Sequence, residues 1–415
     1  TGPMLTGSFR GERVGACTDC RRFWANYRAE ELNDEDIEEV NNQLVPTVGT
    51  CGVMGTASTM AIITEALGLM VPNSACAPAV SADRKRIAEN TGKIAVKIAN
   101  ENLRPSSFLS KKNFLNALMV LSSIGGSTNG LVHLTAMAGR LGIKIDLGEF
   151  DNLTKNLPMI VDLKPSGSGY MEDLYKAGGS QRIFYELRDF LYLDAESVNG
   201  TTIGEDIKGS AKWSQEIITN KNNPIFNAGS IAVLKGSLAP NSAIIKQSAA
   251  SENLLIHEGK AVVFEGLEDL ANRIDTDDLD VTKDDILVLK SIGPKGGPGM
   301  PEAGLIPIPK KLARQGVKDM VRISDGRMSG TASGTIVLHV TPESYENGPL
   351  AIVQDGDLIK LDVPNRRIDL KISEKEIAKR IKKKEKMSIK RRGYNKIYME
   401  HVTQADKGVD FDFLI

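Results

Sequence analysis

The sequence predicts an α/β N-terminal domain, partial at its start, followed by a β-barrel-like C-terminal domain with a few helices. Three observations predict it. From Thr1 to about Asn220, helical periodicities alternate with short apolar runs, the signature of an α/β layer. From Asn223 onward, short β-rich runs recur between turn signals, the signature of a barrel-like β domain. A length of 415 residues exceeds one simple domain. The boundary falls near Asn222–Pro224, giving domains 1–222 and 223–415.

Taken in order, Thr1 to Gly7 read as the inside of a strand–turn unit, which predicts that an N-terminal part of the protein is missing. Asn33 to Asn42 is acidic and amphipathic and predicts a helix. A loop of small residues from Val45 feeds a second helix that runs to Leu67. Cys51 lies just before it, where the positive end of the helix dipole stabilises a thiolate, a nucleophile or metal ligand. A buried, inert thiol is an equal reading. Cys17 and Cys20 have C-x-x-C spacing, but zinc wants a second pair or histidines and none is near, so that pair reads as incidental.

Ser81 to Asn102 and Lys112 to Ser123 predict helices, the first with a solvated basic face. Gly125 to Gly130 then forms a loop that restarts a helix, Leu131 to Leu141, with His133 reading as packed. Free N–H groups around Ser127 and Thr128 at a helix start suit a carboxylate or phosphate. The loop lacks the Walker pattern, so it gives no support for an NTPase. Met159 to Leu163 predicts a short strand, Lys164 to Tyr170 a turn, and Met171 onward a helix ending at Gly178–Gly179.

In the second half, strands are predicted at Ile231–Leu234, Ala243–Ile245, Ala261–Phe264, Ile286–Leu289, Gly334–Val340, Leu350–Val353 and Leu358–Leu361. Lys379 to Arg392 holds nine basic residues against one acid. No aromatic interleaves them and the net charge of the whole chain is −1, so an exposed helix is the reading rather than a nucleic-acid site.

No run of 18 apolar residues occurs, so no transmembrane helix is expected. Four cysteines in a chain this long make no disulfide scaffold, which fits a reducing, cytoplasmic compartment; any organelle address would lie in the missing N-terminus.

Two Gly- and Pro-rich turns carry the chemistry. One runs Gly293-Pro294-Lys295-Gly296-Gly297-Pro298-Gly299-Met300-Pro301-Glu302, the other Ser324-Asp325-Gly326-Arg327-Met328-Ser329-Gly330-Thr331-Ala332-Ser333-Gly334. At this density neither is a helix or central strand. Each carries a reactive group, Glu302 in one and Ser329 in the other. A carboxylate able to hold a metal and a hydroxyl among small residues are parts of a reaction centre.

Together the motifs Gly49-Thr50-Cys51-x-x-Met54-Gly55-Thr56-Ala57-Ser58-Thr59-Met60, Gly125-Gly126-Ser127-Thr128-Asn129, Pro165-Ser166-Gly167, Gly299-Met300-Pro301-Glu302 and Gly326-Arg327-Met328-Ser329-Gly330 resemble the dihydroxy-acid / sugar-acid dehydratase family, end to end. The resemblance implies dehydration of a 2,3-dihydroxy carboxylate to a 2-oxo-3-deoxy acid. It implies a [2Fe–2S] cluster on three cysteines, one of them Cys51, and Mg²⁺ with Glu302 as a ligand. It makes Ser329 the base, as alkoxide, and Thr331 a substrate-binding residue beside Ser127 and Thr128. Mg²⁺ would acidify the C2 proton as a Lewis acid, and an open iron would take the C3 hydroxyl. The first two cluster cysteines and the other Mg²⁺ ligands belong to family motifs that precede Thr1, so this chain is expected to be a truncated enzyme with doubtful activity on its own. A homodimer or homotetramer is implied, with no nucleic-acid or membrane partner.

Met54-Gly55-Thr56-Ala57-Ser58, Arg327-Met328-Ser329-Gly330-Thr331-Ala332 and the tail from Gly393-Tyr394 to Phe413 resemble the sugar-acid branch, acting on a pentonate or hexonate. The alternatives are the dihydroxy-acid dehydratase of branched-chain amino-acid biosynthesis and a non-catalytic remnant that binds carboxylates or subunits.

Overall fold

The structure, a computed structural model, describes residues 1–210, 216–383 and 392–415. They form two compact units. The first comprises Thr1–Tyr27, Leu32–Gly130 and Asn152–Ser230; the second comprises Arg28–Glu31, Leu131–Asp151 and Ile231–Ile415. The main change of character thus falls at 230/231, and the segment after Gly130 clusters with the later part of the chain.

The first unit is α-rich rather than α/β. Its ladder is one antiparallel ribbon, β1 (Gly7–Phe9) and β2 (Glu12–Val14), with Gly7 paired to Val14. The expected strand Met159–Leu163 makes only single bridges, to Phe226, Ile218 and Gly169. Its N–H groups are satisfied one at a time by different segments: Met159 N donates to Phe226 O (3.0 Å), Ile160 N to Ser123 O (2.9 Å) and Asp162 N to Ile217 O (2.9 Å). Three of its five N–H groups are thus bonded without a sheet.

The helices sit close to where the periodicity puts them. Asp34–Gln43 opens with a capping box: Asp36 N donates to Asn33 Oδ1 (2.9 Å) and Asn33 N to Asp36 Oδ2 (3.2 Å). Its Ile37 and Val40 pack with Phe9, Val14, Phe23 and Leu44. Thr56–Ala66 packs against Lys111–Ser123. Ala82–Glu101 buries no residue, in keeping with a solvated helix. The helix from Met171 ends at Lys176, and the Gly178–Gly179 pair opens a further one, Gly179–Glu186.

The second unit is a nearly closed barrel, as the sequence predicts. Its strands are β3 (Ala232–Leu234), β4 (Ser242–Ile245), β5 (Ile256–Phe264), β6 (Ile286–Leu289), β7 (Arg322–Ser324), β8 (Ile336–Thr341), β9 (Leu358–Asp362) and β10 (Arg367–Leu370). They lie in the order β10-β9-β5-β6-β7-β8-β4-β3. The run β5-β6-β7-β8 is parallel and the remaining pairs are antiparallel. The two edges meet where Lys235, just past β3, bridges Arg367, with Lys235 N donating to Arg366 O (2.9 Å) and Ile368 N to Lys235 O (3.2 Å). Alternation decides which side chains fill the barrel: Val263 and Val288 join the inner core, while Val262, Phe264, Leu287 and Leu289 pack outward on Leu270 and Ile274.

One strand expected of the second unit does not form. Leu350–Val353 instead lies on the short helical turn Pro349–Ile352, where Pro349 takes the first position because it has no N–H to offer a ladder. The basic run begins in the helix Glu374–Lys383, and its residues 384–391 lie outside the described residues. Among the described residues no helix is long and apolar enough to cross a membrane.

Candidate active site

The connection from β7 to β8 carries Ser329 and Thr331. Met328 and Ala332 pack on Ile336 and Leu338, which anchors the turn and leaves Ser329 half-buried between them. Ser329 Oγ lies 2.9 Å from Thr331 Oγ1, and Ala332 N donates to Ser329 O (3.0 Å). Thr331 is buried. The turn is fixed at both ends. At its start Asp325 is buried and accepts from Ile292 N (3.0 Å) and Ser344 N (2.8 Å). At its end Gly334 has φ +120, and a Cβ there would sit 1.9 Å from Arg322 Nη2. Only glycine fits.

The turn bearing Glu302 follows β6. Glu343 organises it by accepting from Lys295 N (3.0 Å), Gly296 N (2.9 Å) and Gln404 Nε2 (2.6 Å). Burial pushes the Glu343 carboxyl up to about 7 against the pull of these donors. Tyr398 adds a second tie, donating to Pro294 O (2.8 Å) and accepting from Gly299 N (2.9 Å). Arg327 joins the two turns. Its Nε donates to Met300 O (2.5 Å) and its Nη1 lies 3.4 Å from Glu302 Oε1. The structure therefore links the Glu302 turn to the Ser329 turn through a side chain to which the sequence assigns no role of its own.

Two more polar groups were not legible in the sequence. His339, in β8, is 1% exposed, and neither ring nitrogen has a hydrogen-bond partner among the described residues. Burial, then Arg327 and His133, depress it to about 3, so its imidazole is neutral at physiological pH. His133 is shifted down by burial and Arg327 and up by Glu302, so it stands near that pair. Lys246 follows β4; its Nζ is buried without a partner among the described residues, and burial lowers it to about 7. In the β4–β8 register Ile244 pairs with Leu338, on which the Ser329 turn packs. The available signals were a polar residue inside an apolar strand and another at the end of one.

In the first unit, the loop at Ser127 and Thr128 is already largely satisfied. Ser127 N donates to Thr59 Oγ1 (3.0 Å), Asn129 N to Ser127 Oγ (3.2 Å), and Ser127 Oγ lies 2.9 Å from Thr56 Oγ1. The expected cradle of free N–H groups is therefore mostly spent inside the loop. Thr128 Oγ1 is the loop's hydroxyl left buried without a partner among the described residues. Cys51 lies 3.5 Å, sulfur to sulfur, from Cys17, the cysteine that read as incidental. The helix dipole does not govern it: the contact with Cys17, then burial, hold the Cys51 thiol well above the ordinary range. The helix begins only at Thr56, too far for a dipole effect confined to its first turn.

Models of two domains match the chain: the dihydroxy-acid/6-phosphogluconate dehydratase N-terminal domain over residues 1–206 and the C-terminal domain of the same family over residues 216–409. The chain belongs to this dehydratase family. It is similar to an L-arabinonate dehydratase of Rhizobium leguminosarum bv. trifolii, at 44% identity over all of this chain and 72% of that protein. It is similar to a 6-deoxy-6-sulfo-D-gluconate dehydratase of Pseudomonas putida, at 38% over all of this chain and 72% of that protein. A dihydroxy-acid dehydratase of Thermodesulfovibrio yellowstonii matches at 37% over 98% of this chain and 74% of its own length. As a member, the chain is a hydro-lyase that dehydrates dihydroxy acids, so the reading as a non-catalytic remnant is set aside. The N-terminal family model matches from residue 1.

The donor set can be tested against the implied cofactors. Among the described residues no three of His, Cys, Asp and Glu converge on a point that could hold a metal. Cys51 has one neighbouring thiol, and the Glu302 carboxylate lies beside the Arg327 guanidinium. The described side chains do not fit a closed cage for either a [2Fe–2S] cluster or Mg²⁺.

Proposed function

We propose that this dehydratase acts on a sugar acid, a pentonate or hexonate, and converts it to the 2-oxo-3-deoxy acid. The observation that carries the reading is the Ser329–Thr331 hydroxyl pair, held at 2.9 Å on a turn fixed at both ends. Ser329, as alkoxide, takes the proton from C2; the C2–H electrons form the C2–C3 double bond and the C3–O bond breaks, releasing water with one added proton. The enol then relaxes to the ketone. A serine hydroxyl is a weak base, and Thr331 supports it by donating to the oxygen when it is ionised. Arg327 holds the Glu302 turn against the Ser329 turn.

Cys51 and Glu302 remain our proposed positions for one cluster ligand and one Mg²⁺ ligand, by resemblance alone. The sugar-acid choice is supported by the motifs around Met54 and Arg327 and by similarity to proteins named for arabinonate and sulfogluconate. The branched-chain reading rests on similarity to a dihydroxy-acid dehydratase at 37%. A 2-oxo-acid assay comparing pentonates and hexonates with 2,3-dihydroxyisovalerate tests the choice. Preference for the branched acid overturns it. Ser329→Ala abolishes turnover if Ser329 is the base, and near-normal activity removes it from that role.

A further inference from the structure

The amine of Lys246 is buried in the second unit, and the dehydration chemistry so far leaves it without a task. Lys246 is 1% exposed, and its Nζ has no hydrogen-bond partner among the described residues. Burying an amine without partners is costly, and groups kept in that condition cluster at functional sites.

Two backbone contacts bracket the residue. Before it, Ile244 pairs with Leu338 and Ile245 with Val337 in the antiparallel β4–β8 ladder, which brings Lys246 opposite Ile336. After it, Ala249 O accepts from Gly334 N (2.8 Å), at the end of the Ser329 turn. Ile245 and Val337 belong to the barrel core, so alternation puts Lys246 on the other face, together with Ile244, Ile336 and Leu338. Met328 and Ala332 pack on Ile336 and Leu338, so that face is the floor of the Ser329 turn. The stem of Lys246 therefore rises beneath the turn that carries the Ser329 and Thr331 hydroxyls, and its four-carbon chain is flexible enough to bring Nζ to them by rotation.

The charged groups of the surrounding elements are engaged elsewhere. Asp319, beside Gly334, pairs with Arg322 (2.6 Å). Asp151, which accepts from Val233 N in β3, pairs with Arg366 (3.0 Å). On the turn itself Asp325 accepts from Ile292 N and Ser344 N, and Arg327 faces Glu302. His339 of β8 is neutral. Burial alone lowers the Lys246 amine, to about 7, so at neutral pH a large share of it carries a lone pair.

We propose that Lys246 is a further catalytic residue, the proton acceptor for Ser329. The proposal rests on the reading of Ser329 as the base. The neutral amine takes the proton of the Ser329 hydroxyl, leaving an alkoxide beside an ammonium. The alkoxide takes the C2 proton and becomes a hydroxyl again, while the C2–H electrons form the C2–C3 double bond and the C3–O bond breaks. The ammonium proton goes to the departing hydroxide, water leaves and the neutral amine returns. A serine hydroxyl alone is a poor base at neutral pH, and an adjacent amine is one of the groups that activate it. The two groups lose one proton as a pair, so the rate follows the titration of the pair.

Two measurements test this. Lys246→Met keeps the stem and removes the amine. With the acid that the unaltered enzyme dehydrates fastest, it should lower kcat about a hundredfold at neutral pH with little change in KM. The limb on which the rate rises with pH should move to higher pH, and a thermal melt checks that the variant is folded. The second measurement needs no turnover. In protein labelled with ¹³C at lysine Cε, the resonance that titrates near 7 belongs to Lys246, and its midpoint should move in Ser329→Ala. Unchanged kcat and pH limb in folded Lys246→Met, or the same midpoint with and without the serine hydroxyl, overturns the proposal. Normal turnover in Ser329→Ala instead overturns Ser329 as the base, and this proposal with it. The resonance comparison decides the matter even where Lys246→Met fails to fold.

Discussion

Arg327 Nε donates to the carbonyl oxygen of Met300 at 2.5 Å, joining two turns whose reactive residues stand 27 positions apart in sequence. Met300 itself sits at φ +49, a left-handed conformation rare for a side chain of its size. The guanidinium makes this contact with Nε while Nη1 faces Glu302, a fork that an ammonium cannot reproduce. Arg327→Lys should therefore lower kcat by an order of magnitude or more with little change in melting temperature. Steady-state kinetics beside a thermal melt checks this; unchanged kcat would show that the strap does not set the geometry of the two turns.

Thr331 offers a sharper probe of the serine. Its hydroxyl lies 2.9 Å from Ser329 Oγ, and hydrogen bonding to an ionised oxygen lowers its pKa. Thr331→Val keeps the shape and removes the donor. The loss of one such bond, about 1.5 kcal/mol, is about tenfold in rate at neutral pH. The limb on which the rate rises with pH should move to higher pH, and high pH should restore part of the lost rate. A uniform loss at all pH values would assign Thr331 to packing or substrate binding instead.

Glu343 should prove structural for the first turn. Its two oxygens accept from two backbone N–H groups and one side-chain amide, so Glu343→Gln turns an amide N–H₂ toward donors. Unpaired buried donors cost about 1–3 kcal/mol, which predicts a lower denaturation midpoint at pH 8. The pH dependence has a definite sign. With its folded pKa raised to about 7, above the unfolded value near 4.3, Glu343 favours the folded state most below the unfolded value. That contribution is lost as pH rises through 7. Urea midpoints at pH 4.5 and 8, with and without the substitution, check both effects.

Much of this was legible in the sequence because it is periodic or local. The barrel strands show as short apolar runs with turn residues between them, and the two turns declare themselves through Gly and Pro. The α-rich character of the first unit was not legible, because Met159–Leu163 has the composition of a strand and only its neighbours decide that no ladder forms. The same holds for Ser127: small residues at a helix start look like an anion cradle until Thr56 and Thr59 take up the loop's hydrogen bonds. Cys17 read as incidental because its partner lies 34 residues away, and spacing along the chain carries no such contact. His339 and Lys246 are not legible as buried groups, since a single polar residue in an apolar run is ordinarily a solvated one.

Lys246 yields the last prediction. Its ammonium is fully buried without a partner among the described residues, and burial alone lowers it to about 7 from an unfolded value near 10.4. A group with a depressed folded pKa contributes stability that is present above the unfolded value and lost as pH falls through the folded one. Between pH 10 and 7 the folded protein should therefore lose stability, on the order of a few kcal/mol from this residue. Lys246→Met keeps the stem and removes the titration. It should flatten the stability curve over that range and raise the melting temperature at pH 7, because it removes a buried group that has no compensating charge. Matched slopes in the two proteins would mean that Lys246 finds a counter-charge in solution, and a drop in stability on substitution would mean that the amine is hydrogen-bonded in the folded protein.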